Sequence, residues 1–584
     1  MFYIAGTGSG NPEWLNNKKN KGAIMKANSL KRSSAGFSRL AVSVTALSIV
    51  GSASAVSFDV GDPDFKVRWD NSVRYNLGFR AQGKEKALSL SNNQQVSDNK
   101  FDRGDVVTNR FDLLSELDVV YKEEYGARVS ASAWYDQAYD DDKAEGLSQY
   151  TAAGYPNVYS GNKYTGKVDR YYNGPSGEIL DAFVFGRFDI GDAPVRVKLG
   201  RHNLYWGESL FSFIHGVSYA QGPVDIRKAT ATPGIEAKEL YLPLNQLSFH
   251  TQMTDTLSLA GYYQFEWDPS RLPEGGTYFG TADFAFGGNT TIPAAPFFGI
   301  PYRGDVDTPK NSGSWGTNLK WQSEALQGSL GFYYREFSDT LPNILSTFDG
   351  AGTPTSFYNR YAENVRLYGI SISRQIGGVA VAGELSRREN TALSSVGGSP
   401  DFARGDTWHG LVNAIAYFGK TPLWDSATLM GEMTYSRLDK VTKNAEFYNE
   451  KGNPLCASQN GGRGDAKDGC STKDALGIQL AFTPTWYQPI NGIDLTLPMT
   501  YGRGIFGTSP VTNGGNEGAG AFSIGIGADY LALYKATLAY NGFFGPLTTR
   551  FNPVVNDNTV ATSSGGSPLL RDRGWVSLTL KASF

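Results

Sequence analysis

The sequence predicts an all-β protein: a transmembrane antiparallel β-barrel of about 18 strands, with short periplasmic turns, long outer loops and one loop folded into the lumen. Three observations predict it. The first is the end of the chain. Val576, Leu578, Leu580, Ala582 and Phe584 fall on one side of an extended strand, and Ser577, Thr579, Lys581 and Ser583 fall on the other. A side-chain period of two makes one apolar face and one polar face, and the chain stops on an aromatic ring with no polar tail. The second is that this alternation recurs from Phe65 onwards. The third is composition. The chain has 69 Gly, 32 Tyr, 33 Phe and 11 Trp, yet its mean hydropathy is only −0.33. Strands that are apolar on one face alone give that combination.

No apolar run long enough for a membrane-crossing helix follows the N-terminal region. A formal net charge of −3 argues against a nucleic-acid partner. Residues 1–55 read as leader and signal peptide. Lys26, Lys31, Arg32 and Arg39 precede the apolar stretch Leu40 to Val50, and Ala53-Ser54-Ala55 offers a small-residue cleavage site. The basic region opens just after Met25, which is read as the true start, with residues 1–24 as an extension. Residues 56–584 then form a single barrel domain. Export also bears on the cysteines. Cys456 and Cys470 lie in a Gly/Asn/Asp-rich stretch, and outside the cytosol one disulfide closing a surface loop is expected. No cofactor or metal site is expected.

The strands follow in order. Phe65, Val67, Trp69, Val73, Tyr75, Leu77 and Phe79 alternate with Lys66, Arg68, Asp70, Arg74 and Arg80. Phe111 to Lys122 and Ala127 to Tyr135 repeat the pattern around a turn at Glu123 to Gly126. A polar stretch from Asp136 to Glu178 separates them from Ile179 to Ile190 and Val195 to Trp206. Later pairs are Leu247 with Leu257 to Trp267, Trp315 to Trp321 with Leu326 to Glu336, and Val365 to Ile376 with Val379 to Leu385. Trp408 to Phe418 with Ala427 to Tyr435, Leu476 to Phe482 with Ile493 to Tyr501, and Phe522 to Tyr530 with Tyr534 to Tyr540 complete the series before the terminal strand. Connections alternate between roughly two to eight residues and roughly fifteen to forty, the asymmetry of an even-stranded outer-membrane barrel. Tyr121, Tyr135, Trp267, Trp315, Tyr435 and Tyr501 sit near strand ends, as interfacial girdles do.

One long connection is richer in apolar and charged residues than a solvated tip should be. It runs through Trp206, Glu208, Phe211, Phe213, Asp225, Lys238 and Glu239, and the expectation is that it folds inward, where the wall can cover it. Gly200-Arg201, Trp206-Gly207-Glu208-Ser209, Pro223-Val224-Asp225 and Pro233 to Glu239 stand in order there. They are followed by Leu242-Pro243, Tyr263-Gln264 with Trp267, Gly276-Thr277-Tyr278-Phe279 and Asp283-Phe284. Together these resemble a proteobacterial family catalogued as domain of unknown function 1302. His202 departs from the Gln more usual there. More loosely, the Gly-Arg element is similar to alginate-exporter barrels. The resemblance implies a Gram-negative outer-membrane barrel, with a periplasmic lipoprotein and an inner-membrane exporter as partners and a hydrophobic, lipid-like or polymeric cargo. The terminal strand is similar to those read by the barrel-assembly machinery. An integral outer-membrane location adds membrane lipid and lipopolysaccharide as surroundings.

The lumen should carry charges of both signs. Arg68 and Arg74 face inward from the first strand, Glu116 from the second, and Arg196 and Lys198 from the fifth. Such charges either pair as a structural network or select solutes by field. With Arg201, Trp206, Glu208, Phe211, Phe213, Asp225, Lys238 and Glu239, they are the candidate lumen and constriction residues. The favoured function is a passive, porin-like channel. The alternative is an assembly or adhesion protein acting through its outer loops. An enzyme is not expected. There is no G-x-S-x-G, and His202 and Ser209 are close in sequence but at a spacing that signals no triad.

Overall fold

In the computed structural model the described residues are 56–58 and 61–584, apart from 192, 288–290, 296–297, 460–462 and 563–564. The expected leader and signal peptide lie outside them. The wall is one antiparallel sheet closed on itself. Its strands are β1 (Phe65–Arg80), β2 (Val106–Tyr121), β3 (Tyr125–Asp136), β4 (Ser176–Ile190), β5 (Ala193–His202) and β6 (Leu244–Gln252). Next come β7 (Leu257–Gln264), β8 (Trp315–Ser323), β9 (Gly328–Phe337), β10 (Val365–Ile376), β11 (Val379–Ala392) and β12 (Arg404–Phe418). The last six are β13 (Ser426–Lys443), β14 (Asp474–Ile490), β15 (Ile493–Thr496 and, after a break, Met499–Phe506), β16 (Gly520–Tyr530), β17 (Tyr534–Phe544) and β18 (Trp575–Ser583). Each pairs with its chain neighbours, and β18 returns to β1 from Arg80↔Trp575 to Ser72↔Ser583.

Closure continues past that ladder. Asn71 and Phe584 exchange both backbone hydrogen bonds at 2.9 Å. Beyond them, Val56–Phe58 occupies the same edge of β1, opposite Val67 to Trp69. Every wall strand thereby has its peptide groups paired on both sides, which an apolar surround demands.

The period of two sorts the faces as expected. Ile179, Val184, Leu199, Phe332, Ile370, Val412, Ile524 and Leu538 are exposed on the outside. Arg74, Asp112, Glu116, Arg335, Glu384, Arg388 and Glu432 are buried on the inside. Among the described residues no helix is long and apolar enough to cross a membrane.

The long connections differ from the solvated loops that their polar composition suggests. Those after β1, β3 and β7 share a buried aromatic core of Phe101, Tyr139, Tyr159, Tyr164, Tyr172, Tyr278 and Phe279, joined by Trp575 at the head of β18. Arg573 ties the core together, donating to the carbonyls of Tyr278 and Gly280 at 2.8 Å. Asp283 accepts from the Val96 and Ser97 amides at 2.8 and 2.9 Å. Two further small sheets, one of Thr291–Ala295, Phe298–Asp307, Asn343–Phe348 and Pro354–Arg360 and one of Thr548–Asn552 with Asp557–Thr562, belong to the same end. Tyrosine looks polar in a sequence but buries a ring of hydrocarbon, which is why these stretches fold together.

The sorting of faces has a measurable consequence. Ile370→Arg, near the middle of β10 and facing outward, should destabilise the membrane-embedded barrel by about 2–4 kcal/mol. Thr537→Arg on the inner face of β17 should cost far less. Denaturant titration in lipid vesicles compares the two.

Candidate functional site: the segment that crosses the lumen

β5 ends at His202, four residues before the Trp206 expected from alternation, because the chain there leaves the wall. Residues 203–243 then run inside the barrel to β6. Such a segment lacks a sheet to satisfy its peptide groups, and buried amides left unpaired cost about 1–3 kcal/mol each. The wall supplies the partners. Glu384 on β11 accepts from the amides of Glu208, Ser209 (3.1 Å) and Val217 (2.7 Å). Glu432 on β13 accepts from Leu210 (2.7 Å), Phe211 (3.3 Å) and Ser212 (2.7 Å). Six backbone donors thus converge on two carboxylates, as charge-assisted bonds.

This docking gives the Trp-Gly-Glu-Ser motif its physical reason. Gly207 has φ +98°, and a Cβ there would lie 2.3 Å from Glu384 Oε1. Only glycine lets the backbone approach that closely. Trp206 is buried edge-on against Tyr262, with centroids 5.1 Å apart, and Val217 packs fully buried nearby. On the same side of the wall as the carboxylates, Arg335 on β9 donates to the carbonyls of Val217 and Tyr219 at 2.7 and 2.6 Å. Arg388 on β11 donates to those of Ile214 and Gly216 at 2.7 and 3.1 Å. Both guanidiniums are fully buried, and Arg388 lies 4.1 Å from the Tyr219 ring centroid.

A histidine relay fastens the tip. His215 Nε2–H donates to the Gly514 carbonyl at 2.8 Å, so its Nδ1 accepts from His409 Nδ1–H at 3.0 Å. His409 Nε2 in turn accepts from Thr407 at 2.9 Å. With neutral rings these partners fix both tautomers. Burial holds His215 down to about 4.

The second half of the segment is pinned to the other side of the barrel. Asp225 caps helix α1 (Ile226–Ala231) through the Lys228 amide at 2.8 Å, and holds Arg227 and Arg271 (3.3 Å). Helix α2 (Ala237–Leu240) has Glu236 and Glu239 in a reciprocal capping box. Arg74 on β1 grips Glu239 with two hydrogen bonds, 2.9 and 3.1 Å, and lies 3.6 Å from Asp112. Lys238 pairs with Glu116 on β2 and with Glu236 (3.1 Å), and Lys581 on β18 pairs with Glu236. Burial pushes Glu239 up, but Arg74 more than reverses it and holds the carboxyl at about 2. Burial likewise opposes, and Arg227, Lys228 and Arg271 outweigh, for Asp225, also at about 2.

Most of the sequence-nominated residues therefore meet in one assembly. Glu208 reaches Lys320 on β8 at 3.3 Å. Phe211 and Phe213 are half-buried within the segment. Arg68 pairs with Asp70 at 2.8 Å. Arg201 is a correction. It sits on the outward track with Leu199, opposite Ala182 and Asn245, and pairs with Glu266 at 2.8 Å. The close of β5 puts it on the outer face rather than in the lumen. Arg196 and Lys198 face inward and exposed, with no carboxylate within ion-pair distance among the described residues. Cys456 and Cys470 are bonded and buried in the connection after β13. His202 bonds Ser248 (2.7 Å) and the Gly200 carbonyl (3.0 Å), not Ser209. No group of three or more His, Cys, Asp and Glu is placed to hold a metal among the described residues.

Sequence reasoning missed Glu384, Glu432, Arg335, Arg388 and His409. A signal was present for the two acids. Glu384 lies across from Ser371 and Leu411, and Glu432 across from Asn413 and Gln479. An inward acid with no base beside it must find donors elsewhere.

The family model described as "Protein of unknown function (DUF1302)" matches residues 36–584. The chain belongs to this family. Of the motifs, Trp206 to Ser209, Pro223 to Asp225 and Pro233 to Glu239 can now be read as parts that seat residues 203–243, whereas Tyr278, Phe279 and Asp283 belong to the core of the outer connections. No curated protein matches the chain. Among solved structures it is similar to a BenF-like porin from Pseudomonas fluorescens Pf-5, at 10% identity over 89% of this chain and 98% of that one, TM-score 0.40. OccAB3 from Acinetobacter baumannii matches at 11% identity over 90% and 100%, TM-score 0.39. OccK2 (OpdF) from Pseudomonas aeruginosa, solved with glucuronate, matches at 9% identity over 89% and 97%, TM-score 0.37.

Two measurements check this anchoring. Glu384→Ala should leave three amides without an acceptor, raising hydrogen exchange at Glu208, Ser209 and Val217 by at least about tenfold, or ~1.4 kcal/mol. Glu239 and Asp225 are held below their ordinary values, 4.5 and 3.8, so their contribution is complete above those values and is lost as pH falls towards 2. Exchange across residues 225–239, corrected for its intrinsic rate, should rise between pH 4.5 and pH 2 and stay flat above.

Proposed function

We propose that this protein is a passive outer-membrane channel whose lumen residues 203–243 narrow, passing a hydrophobic, lipid-like or polymeric cargo. One observation carries the reading. The segment is fastened at one end to β9, β11 and β13 through Arg335, Glu384 and Glu432, and at the other to β1, β2 and β18 through Arg74, Glu116 and Lys581. A strap tied to both sides of a barrel divides its bore. The closed wall with an apolar exterior suits the outer membrane. Charge on the strap is matched pair by pair, so it serves to obstruct and shape the passage rather than to react. The outer connections turn most of their rings into their own cores, which favours transport over adhesion through exposed loops.

Deleting Phe211 to Arg227 should raise single-channel conductance in planar bilayers several-fold. Unchanged conductance in a folded, heat-modifiable variant would overturn the constriction.

A further inference from the structure

The strap is not tied evenly round the ring. Its stems leave β5 and enter β6. On one side of them it is joined to β4, β2, β1 and β18. On the other it is joined to β8, β9, β11, β12 and β13. What remains is β14 to β17, roughly 20 Å of wall at the usual strand spacing. Leu480, Phe522, Ile524 and Leu538 on these strands are exposed outside, so the alternate positions face in. Gln479 lies across from Gly502, and Thr500 across from Ser523, with Thr537 on the next strand. These five residues bond no part of the strap among the described residues, and all are half-buried rather than packed away.

A cavity of about 270 Å³ lies in this arc. Ser212 and His215 at the tip of the strap border it on one side, Gln479, Gly502 and Ala521 on the other, and Gly514 of the connection after β15 also borders it. Gly502 has no local reason to be glycine. Its φ is not in the left-handed region, and a Cβ there would meet nothing nearer than Gln479 Cγ at 3.5 Å. A glycine inside a strand weakens it and often marks a place where something else approaches the backbone. Here the missing side chain faces open space beside the strap. The lining also lacks charge. From the cavity towards the short turns, the inner tracks of these strands reach no charged side chain before Asp494, Asp529 and Lys535, where Lys535 pairs with Asp529 at 2.7 Å. At its anchors the strap meets Arg74, Glu116, Arg335, Glu384 and Glu432; in this arc the wall offers hydroxyls, amides and bare backbone.

We propose that the passage through the barrel runs in this gap, between the tip of the strap and β14 to β17, with Gly502 and Ser523 lining its narrow part. This rests on the channel reading and adds a route and a criterion to it. The gap admits slender, flexible, unbranched molecules and excludes bulky rigid ones. A ring of fixed charge selects by sign; hydroxyl and amide dipoles can turn either end to a solute, so this stretch sorts by width.

Cys456 and Cys470 are bonded to each other and are the chain's two cysteines, so a single introduced cysteine carries the one reactive thiol. Gly502→Cys, Ser523→Cys and Ser371→Cys are folded first, then treated in planar bilayers with neutral benzyl methanethiosulfonate. Ser371 faces inward from β10 but is 5% exposed, bonded at 3.0 Å to Tyr333, which packs on Trp206 of the strap. Modification at 502 and at 523 should each cut single-channel conductance by about half or more, because the narrowest stretch limits conduction. The thiol at 371 should stay unmodified. Cationic and anionic reagents of the same series should react at 502 in the ratio they show with free cysteine. A ratio displaced by about tenfold or more, equal to ~1.4 kcal/mol of local potential, would overturn the uncharged lining. Unchanged conductance after complete modification at 502 and 523, or unreactive thiols at both, would overturn the route. Because labelling is read by mass spectrometry without conduction, reactive thiols at 502 and 523 in a protein that conducts nothing would sink the channel reading alone.

Discussion

A peptide chain that leaves a barrel wall and crosses its bore must carry its hydrogen bonds with it or find them on the far side. That constraint organises this protein. Residues 203–243 contain only two short helices, so most of their amides and carbonyls have no partner of their own making. The wall answers with anions where the segment presents N–H groups and with cations where it presents carbonyls. Glu384 and Glu432 take six amides, and Arg335 and Arg388 take four carbonyls. The same contacts satisfy the wall's two guanidiniums only in part: among the described residues Arg335 Nη2 and Arg388 Nε and Nη1 are buried without a hydrogen-bond partner, and Arg388 is further stabilised over the Tyr219 ring.

The far half is held by a different chemistry. There the segment is helical, its backbone is internally bonded, and attachment passes to side chains: Glu239 to Arg74, Lys238 to Glu116, Glu236 to Lys581. These are side-chain ion pairs, whereas the first half is sewn in through its backbone. Substitutions in the two halves therefore have different signatures. Losing Glu384 unpairs amides that no side chain on the segment can replace. Losing Lys238 leaves Glu116 still paired with Arg128.

Much of the barrel was legible because its signal is periodic. Strand number, the alternation of short and long connections and the closing role of Phe584 all follow from apolar residues at every second position. The inward segment was legible from composition, since Phe211, Phe213 and Ile214 have no place in a solvated tip. What the alternation could not supply was partner choice. Glu384 and Glu432 sit on tracks that read simply as lumen-facing, and nothing local says that they meet residues 208–217, far away in the chain. Arg201 failed for a related reason. It stands beside motif residues in sequence, but one step along a strand reverses the face, and the register with Ala182 and Asn245 sends it outward. The outer tyrosines were misread because their neighbours are Gly, Asn and Asp, while the rings themselves form the core.

The distribution of matched and unmatched charge separates holding from selecting. The cations that hold the strap, from buried Arg74 to half-exposed Lys320, each face a carboxylate or carbonyls of the segment, so their field is spent locally and a passing solute would meet little of it. Arg196 and Lys198 bond no part of the strap among the described residues and remain open to the lumen. An interior field is felt most where low-dielectric walls focus it and no fixed counter-charge cancels it. Selectivity should therefore reside below the constriction rather than in it, at the mouth with the short turns. The strap's own motif residues, however invariant their spacing must be for docking, would then set the width of the passage and leave its chemistry to the wall.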